Sequence, residues 1–366
     1  MLIARTPVRI SFAGGGTDLP SYYEKYGGAV LSGAINKYFY TILTERDDRY
    51  IQIISSDLKK MAEADHIDFT SQELTEQELD IPFAVLRYFQ CHKGVNLFLA
   101  SEVPPGTGLG SSASVCVNMV KLISQYLEKP MSRYDMAETA FHIATKMLNR
   151  PVGKQDEYAA TFGSLNLLEF EPSGHTRVEP IQVDSEIIAS LEKNILLFFT
   201  GRSHNSTEIL SVQKSSSEKG EEATVLSLTR LKELVMPMKE SLVRGDLDTF
   251  GHLLDECWRF KKKVSNKITN ARIDELYEMA KRNGALGGKI TGAGGGGFLM
   301  FYCPAENQPR LRRVMLQNGI KEMSFRFDFQ GSQIVHDDPF FGASGRGSML
   351  WRLTRTSEPQ DWPFMH

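Results

Sequence analysis

Three glycine clusters constrain this chain more than any other feature: Gly14, Gly15 and Gly16; Gly106, Gly108 and Gly110; and Gly292 with Gly294, Gly295, Gly296 and Gly297. Glycine loses more backbone freedom on folding than any other residue, so clusters of it mark places where the backbone must take positive φ or approach another group closely. The second cluster carries the most information. It reads Pro104-Pro105-Gly106-Thr107-Gly108-Leu109-Gly110-Ser111-Ser112-Ala113-Ser114, after an alternating stretch at 95–99 and before apolar residues at helical spacing (Val117, Val120, Ile123, Leu127). A strand feeding a glycine loop that opens onto a helix offers free N–H groups and the positive end of the helix dipole to an anion. Ser111 and Ser112 stand where hydroxyls reach a phosphate or a Mg²⁺ ion. No Gly-Lys-Ser/Thr follows, so this is not a Walker A loop, and Gly110 follows Gly108 too closely for the dinucleotide fingerprint. The competing local reading is a tight turn with a helix cap at Ser111 or Ser112.

The third cluster, Lys289-Ile290-Thr291-Gly292-Ala293-Gly294-Gly295-Gly296-Gly297-Phe298, precedes an apolar run and reads as a loop that lies against a ligand or, less simply, as a hinge. Two further segments hold candidate chemistry. Arg9-Ile10-Ser11-Phe12-Ala13-Gly14-Gly15-Gly16-Thr17-Asp18-Leu19-Pro20 is a strand ending in glycines and an Asp that suits paired sugar hydroxyls. Gly153-Lys154-Gln155-Asp156-Glu157-Tyr158 offers an Asp with a lysine two residues away, either a candidate base or a helix cap.

The 366 residues suggest two domains or one large α/β unit. With 42 Lys+Arg against 45 Asp+Glu, the chain lacks the positive excess that nucleic-acid binding requires, and Lys261-Lys262-Lys263 reads as the solvated face of a helix. No apolar run approaches the ~20 residues of a membrane span. Four cysteines without CxxC or CxxH spacing point to a reducing cytoplasm rather than to zinc or disulfides. Strands are expected at 8–12, 30–43 and 49–54 (as a meander), 95–99, 195–200, 298–303 and 324–335. Helices are expected from about 80, at 113–127, 132–148, 223–244, 246–262, 273–283 and 309–318. The chain turns acidic around 70–80, and the tail from 337 lacks clean periodicity.

The four segments, in this order, resemble the GHMP kinases, the superfamily of galactokinase, homoserine kinase, mevalonate kinase and phosphomevalonate kinase. Residues 104–114 match its P-x-x-x-G-L-G-S-S-A loop and residues 289–297 its K-x-T-G-A-G-G-G-G loop. Within the family, the Arg9 to Pro20 segment, Tyr38 after Asn36-Lys37, Val152-Gly153-Lys154-Gln155-Asp156-Glu157-Tyr158-Ala159-Ala160, and Thr200-Gly201-Arg202-Ser203 resemble the D-glycero-D-manno-heptose phosphate kinases. The likeness runs over residues 1–336.

The resemblance implies an α/β (α+β) GHMP kinase fold. It would have a ribosomal-protein-S5-like N-terminal domain over 1–185, a ferredoxin-like C-terminal domain over 186–336, an extension over 337–366, and a site in the interdomain cleft. It implies ATP bound by Pro105, Gly106, Gly108, Leu109, Gly110, Ser111, Ser112 and Ala113, with Thr291, Gly292, Ala293, Gly294 and Gly295 closing the site from the other side. Arg9 and Asp156 would act on the phosphoryl group and its acceptor, and Gly16, Thr17, Asp18, Lys154 and Arg202 would hold the substrate. Lys154, Arg202 and His204 are candidates for a phosphate on the sugar. Mg²⁺ would rest on Ser112, because Ala144 stands where many relatives carry a Glu ligand. Gly15-Gly16 replace the Glu-His of galactokinases, which disfavours galactose. The implied reaction is transfer of the ATP γ-phosphoryl group to the anomeric hydroxyl of a heptose 7-phosphate. The alternatives are another sugar such as fucose, or a sugar or ATP sensor without turnover. Gly108→Val is expected to abolish nucleotide binding and leave the fold intact.

Overall fold

The computed structural model describes residues 1–64, 79–201 and 206–337; most of the acidic stretch at 70–80, Arg202, His204 and the extension beyond 337 lie outside them. The first sheet has eight strands: β1 (Leu2–Ala13), β2 (Gly28–Glu45), β3 (Ile51–Ser55), β4 (Lys60–Ala64), β5 (Val95–Ser101), β6 (Leu165–Phe170), β7 (Thr176–Pro180) and β12 (Gln333–Asp337). The second has β8 (Ile195–Phe199), β9 (Gly287–Ile290), β10 (Phe298–Tyr302) and β11 (Lys321–Met323) in the order β11-β8-β10-β9. The long β2 organises the first sheet. It pairs with β1 along one edge and shares its other edge between β6 at Gly28–Gly33 and β5 at Phe39–Glu45.

The expected meander of β2 and β3 does not form. β5 lies between them, antiparallel to β2 and parallel to β3. The turn after β2 is tied to β5 instead: the Arg46 N–H donates to the Gly94 carbonyl at 3.0 Å, and its guanidinium donates to Asn96 at 2.9 Å. The extended stretch expected at 324–335 is also broken, because the Asp328 carboxylate accepts the Gln330 and Gly331 N–H groups and folds a turn there. The helix expected at 223–244 is two helices, Glu222–Glu233 and Val235–Val243, the second carrying Pro237 in its first turn, where a missing N–H is tolerated. A further helix, Ser206–Glu218, had no clear signal in the sequence. The helix Arg133–His142 starts at a capping box of Ser132 and Asp135 and ends in a π-helical turn, Ile143–Met147.

Two large cores and a smaller third pack against the first sheet. Leu2, Ala4, Leu43, Ile53 and Leu97 pack under the helices Asp80–Tyr88 and Ser111–Tyr126. Val8, Ile10, Phe12, Leu31 and Ile35 join a larger core with the second sheet and the helix Leu247–Val264. The β1 register shifts between Pro7 and Val8, at the junction of the two cores. The second core therefore runs unbroken from β1 into the C-terminal half, with Phe12 edge-on to Phe250 at 5.2 Å. Lys289 on β9 reinforces that seam by donating to the Ser11 and Phe12 carbonyls at 2.9 and 3.1 Å. The seam ends at the glycine loops.

Candidate active site

The two large glycine loops interlock. At Gly108 (φ 78°), a Cβ would come within 2.5 Å of the Thr291 carbonyl; at Gly292 (φ 65°), one would meet Gly108 Cα at 2.5 Å. Only glycine at both positions lets the backbones touch. The Thr107 carbonyl closes the contact, accepting from the Phe298 N–H at 3.3 Å and the Thr291 hydroxyl at 3.2 Å. From this junction Gly110, in the left-handed region, opens the helix Ser111–Tyr126, whose first N–H groups face a cavity.

Gly106, Gly108, Gly110, Ser111, Ser112 and Ala113 line this cavity on one side, and Arg9, Gly16, Asp18 and Asp156 on another; Gly292 and Ala293 complete it. Arg9 is its hinge. Its Nε and Nη2 both contact Asp156 Oδ1, at 2.7 and 2.6 Å, and its Nη1 donates to the Gly108 carbonyl at 2.7 Å. Asp156 Oδ2 has no partner among the described residues and lies 3.2 Å from where a Cβ on Gly110 would stand. Asp18 accepts from the Gly16 N–H and the Gln155 side chain through Oδ1, and from the Gln155 N–H through Oδ2. It thereby holds the first turn of the helix Gln155–Phe162, which carries Asp156. Burial, then the Asp156 charge, raises the Asp18 pKa.

Several candidates fall elsewhere. Lys154 is buried with its ammonium on Glu138 at 2.6 Å and the Gly174 carbonyl at 2.7 Å; it does not line the cavity, and the partner of Asp156 is Arg9. Thr17 bonds the Ala29 backbone. Leu109 is core, contributing only its carbonyl to the Arg9 N–H, while Thr291, Gly294 and Gly295 shape the loop from behind. Pro105 lines a neighbouring, mostly apolar cavity with Phe39, Leu58, Leu79 and Val115, which shares Ser111, Ser112 and Arg150 with the first.

Other residues of the cavity, Ser11, Gln155 and Glu157 among them, have no role assigned from the sequence. Ser11, Gln155 and Glu157, like Ser111, line it and each carry a buried side-chain oxygen without a hydrogen-bond partner among the described residues. Four such atoms on the wall of one cavity leave hydrogen-bonding capacity next to the space a ligand would fill. Glu157 is 2% exposed, and burial followed by the Asp156 charge raises its pKa well above the ordinary carboxyl value. Lys261, expected on a solvated face, is buried and lines the cavity. Its position was legible in the helix phase, since Leu254, Cys257, Trp258, Lys261 and Val264 form one buried stripe.

This geometry agrees with the comparisons to known proteins. Residues 80–164 match the GHMP kinases N terminal domain and residues 238–321 the GHMP kinases C terminal domain. The chain is 31% identical over 328 residues to a D-glycero-alpha-D-manno-heptose 7-phosphate kinase of Campylobacter jejuni, covering 88% of this chain and 95% of the relative. Among solved structures, a D-glycero-D-manno-heptose 1-phosphate kinase from Bacteroides thetaiotaomicron superposes with a TM-score of 0.75 at 25% identity, covering 92% of this chain and all of that one. The galactokinase of Lactococcus lactis shares the fold, with a TM-score of 0.71 at 18% identity over 91% of this chain and 94% of its own. The chain belongs to the GHMP kinases. It is a phosphotransferase with an alcohol group as acceptor, and ATP is its phosphoryl donor.

The interlocked loops correct the expectation for Gly108→Val. A side chain there strikes the Thr291 carbonyl, so the variant cannot leave the fold untouched. Calorimetric titration and thermal melting should show nucleotide binding lost together with a lowered Tm.

Proposed function

We propose that this kinase transfers the γ-phosphoryl group of ATP to the anomeric hydroxyl of a heptose 7-phosphate in the cytoplasm. The single observation that carries the chemistry is Asp156, fixed through Oδ1 by Arg9 and presenting Oδ2 beside the mouth of the glycine loop. The substrate class is supported by the Campylobacter relative named above.

In this reading the adenine enters the apolar cavity beside Pro105, and the phosphates lie along Gly106 to Ala113 under the helix N-terminus. The sugar occupies the side lined by Gly16, Asp18 and Gln155, where the glycines leave room. Asp156 Oδ2 accepts the hydrogen bond of the acceptor hydroxyl and takes its proton as the new oxygen–phosphorus bond forms and the bond to the ADP oxygen breaks. Arg9 keeps that carboxylate aimed and places positive charge next to the moving phosphoryl group.

Mg²⁺ fits the donors present. No cluster of three His, Cys, Asp or Glu side chains able to hold a metal occurs among the described residues. Ser111 and Glu157 line the cavity with Ser112, and these side chains would hold the ion together with nucleotide phosphates and water. Glu157 thus supplies the carboxylate that Ala144, also on the cavity wall, does not. Bound there, the ion would neutralise charge on the phosphates.

ADP release measured across heptose 7-phosphate, free heptose, fucose and galactose tests the substrate, and silence with heptose 7-phosphate alone overturns the assignment. In the same assay Asp156→Asn should lower kcat by about 10²–10⁴-fold with KM little changed. Its amide oxygen can still accept from Arg9, but the buried guanidinium loses its counter-charge, so the Tm should fall as well; a variant with full activity per folded molecule removes Asp156 from the chemistry. Glu157→Gln removes a buried carboxylate and should raise the Tm of the free protein. Water-proton relaxation with Mn²⁺ and a non-hydrolysable ATP analogue should show metal affinity about tenfold weaker or worse; unchanged affinity rejects Glu157 as a ligand.

A further inference from the structure

One side of the cavity is unused by the mechanism above. Lys261 sits on the helix Leu247–Val264 within the buried stripe, so the helix phase carries its side chain inward. Its ammonium donates to the Gly292 carbonyl, and no carboxylate pairs with it among the described residues. The nearest cations, Lys289 and Arg9, are already committed: Lys289 to the Ser11 and Phe12 carbonyls, Arg9 to Asp156 and Gly108. Among the described cations that line the cavity, Arg9 is paired with Asp156 and Arg150 with Asp80, whereas Lys261 faces no carboxylate. An ammonium has three N–H groups, and burying it on one neutral acceptor is costly unless an anion completes the site. Burial, with Lys289 and Arg9 close by, pushes its pKa well below the ordinary lysine value. Since Gly292 abuts Gly108, the ammonium stands next to the nucleotide loop, in a family fold whose glycine loop has no lysine of its own.

We propose that Lys261 is a phosphate-binding residue: from the C-terminal half of the chain it supplies the lysine charge that the glycine loop lacks, by donating to a phosphoryl oxygen in the cavity. The proposal rests on the kinase reading above, and the phosphate has two possible sources. One is the γ-phosphoryl group of the nucleotide; the other is the phosphate ester of the sugar.

Calorimetric titration of the full chain with AMPPNP, ADP, heptose 7-phosphate and free heptose separates them. It should be run on wild type, Lys261→Met and Lys261→Gln, with thermal melts of each free protein. Methionine replaces the desolvated cation with an apolar chain of similar length, so the Tm should hold or rise. Affinity for one phosphate-bearing ligand should fall by about tenfold or more, as expected for losing a charged hydrogen bond. If the γ-phosphoryl group is the partner, the variants lose the preference for AMPPNP over ADP. If the sugar phosphate is the partner, they bind heptose 7-phosphate no better than free heptose. Glutamine keeps a donor for Gly292 and reads the same contrast should the methionine variant fail to fold. Wild-type affinities for both AMPPNP and heptose 7-phosphate in the two variants, above all with a lowered Tm, would make Lys261 a structural prop and overturn the proposal. A wild-type protein that binds AMPPNP but no heptose 7-phosphate rejects the substrate assigned above, and the comparison of AMPPNP with ADP still decides Lys261.

Discussion

The Arg9 guanidinium holds the site together. It lies in β1, grips the Asp156 carboxylate through two nitrogens and the Gly108 carbonyl through a third, and its own backbone N–H bonds the Leu109 carbonyl. One side chain thus joins the first strand, the nucleotide loop and the helix that carries Asp156. A planar guanidinium can do this because its donors are fixed in direction and it stays charged at any working pH. A lysine in its place would hold one of these partners with a freely rotating head. Arg9 is only 4% exposed at its side chain, which shields its end of the pair, while Asp156, at 27%, keeps an edge open.

That rigidity coexists with a deliberate deficit. Beside the cavity, oxygens of Ser11, Ser111, Gln155 and Glu157 are buried without a hydrogen-bond partner among the described residues, as are polar atoms deeper in the core such as those of Ser32, Thr41 and Trp258. Each buried polar group left unmatched costs roughly 1–3 kcal/mol. Such a set persists where a ligand with complementary groups offsets the cost on binding, and a nucleotide with a polyhydroxylated acceptor offers those groups in abundance. Burial first, and the Asp156 charge second, raise the pKa values of Asp18 and Glu157, so the pocket favours cationic or hydrogen-bond-donating groups there. Lys261 sets the opposite preference nearby. The cavity is polarised before anything enters it.

Much of this was legible in the sequence. The glycine loops, the strand with Arg9 and the helix with Asp156 announced themselves through residue types whose physical reasons are local: positive φ, close backbone approach and a helix N-terminus. Strand order was not legible, because β5 enters between β2 and β3 through contacts of Arg46 with Gly94 and Asn96 that no local pattern encodes. Side-chain direction was equally hidden. Lys154 is two residues from Asp156 yet points toward Glu138, since neighbours at that spacing on a helix do not share a face. Lys261 shows the reverse: a run of three lysines reads as a wet surface although an apolar stripe passes through it.

Three buried lysines show how such cases separate. Lys154 has a carboxylate, a carbonyl and the rings of Tyr23 and Phe141 around its ammonium. Lys289 has two carbonyls on β1 and joins the two halves of the chain. Lys261 has one carbonyl and an opening. All three are less than a tenth exposed, so burial alone cannot tell a structural lysine from one that meets a ligand. The count of spent donors can. An ammonium whose hydrogen bonds are met by protein is fixed in place and adds to the fold. One with donors left over, held next to a loop built to receive phosphate, lowers the stability of the empty protein and recovers that loss only when an anion arrives.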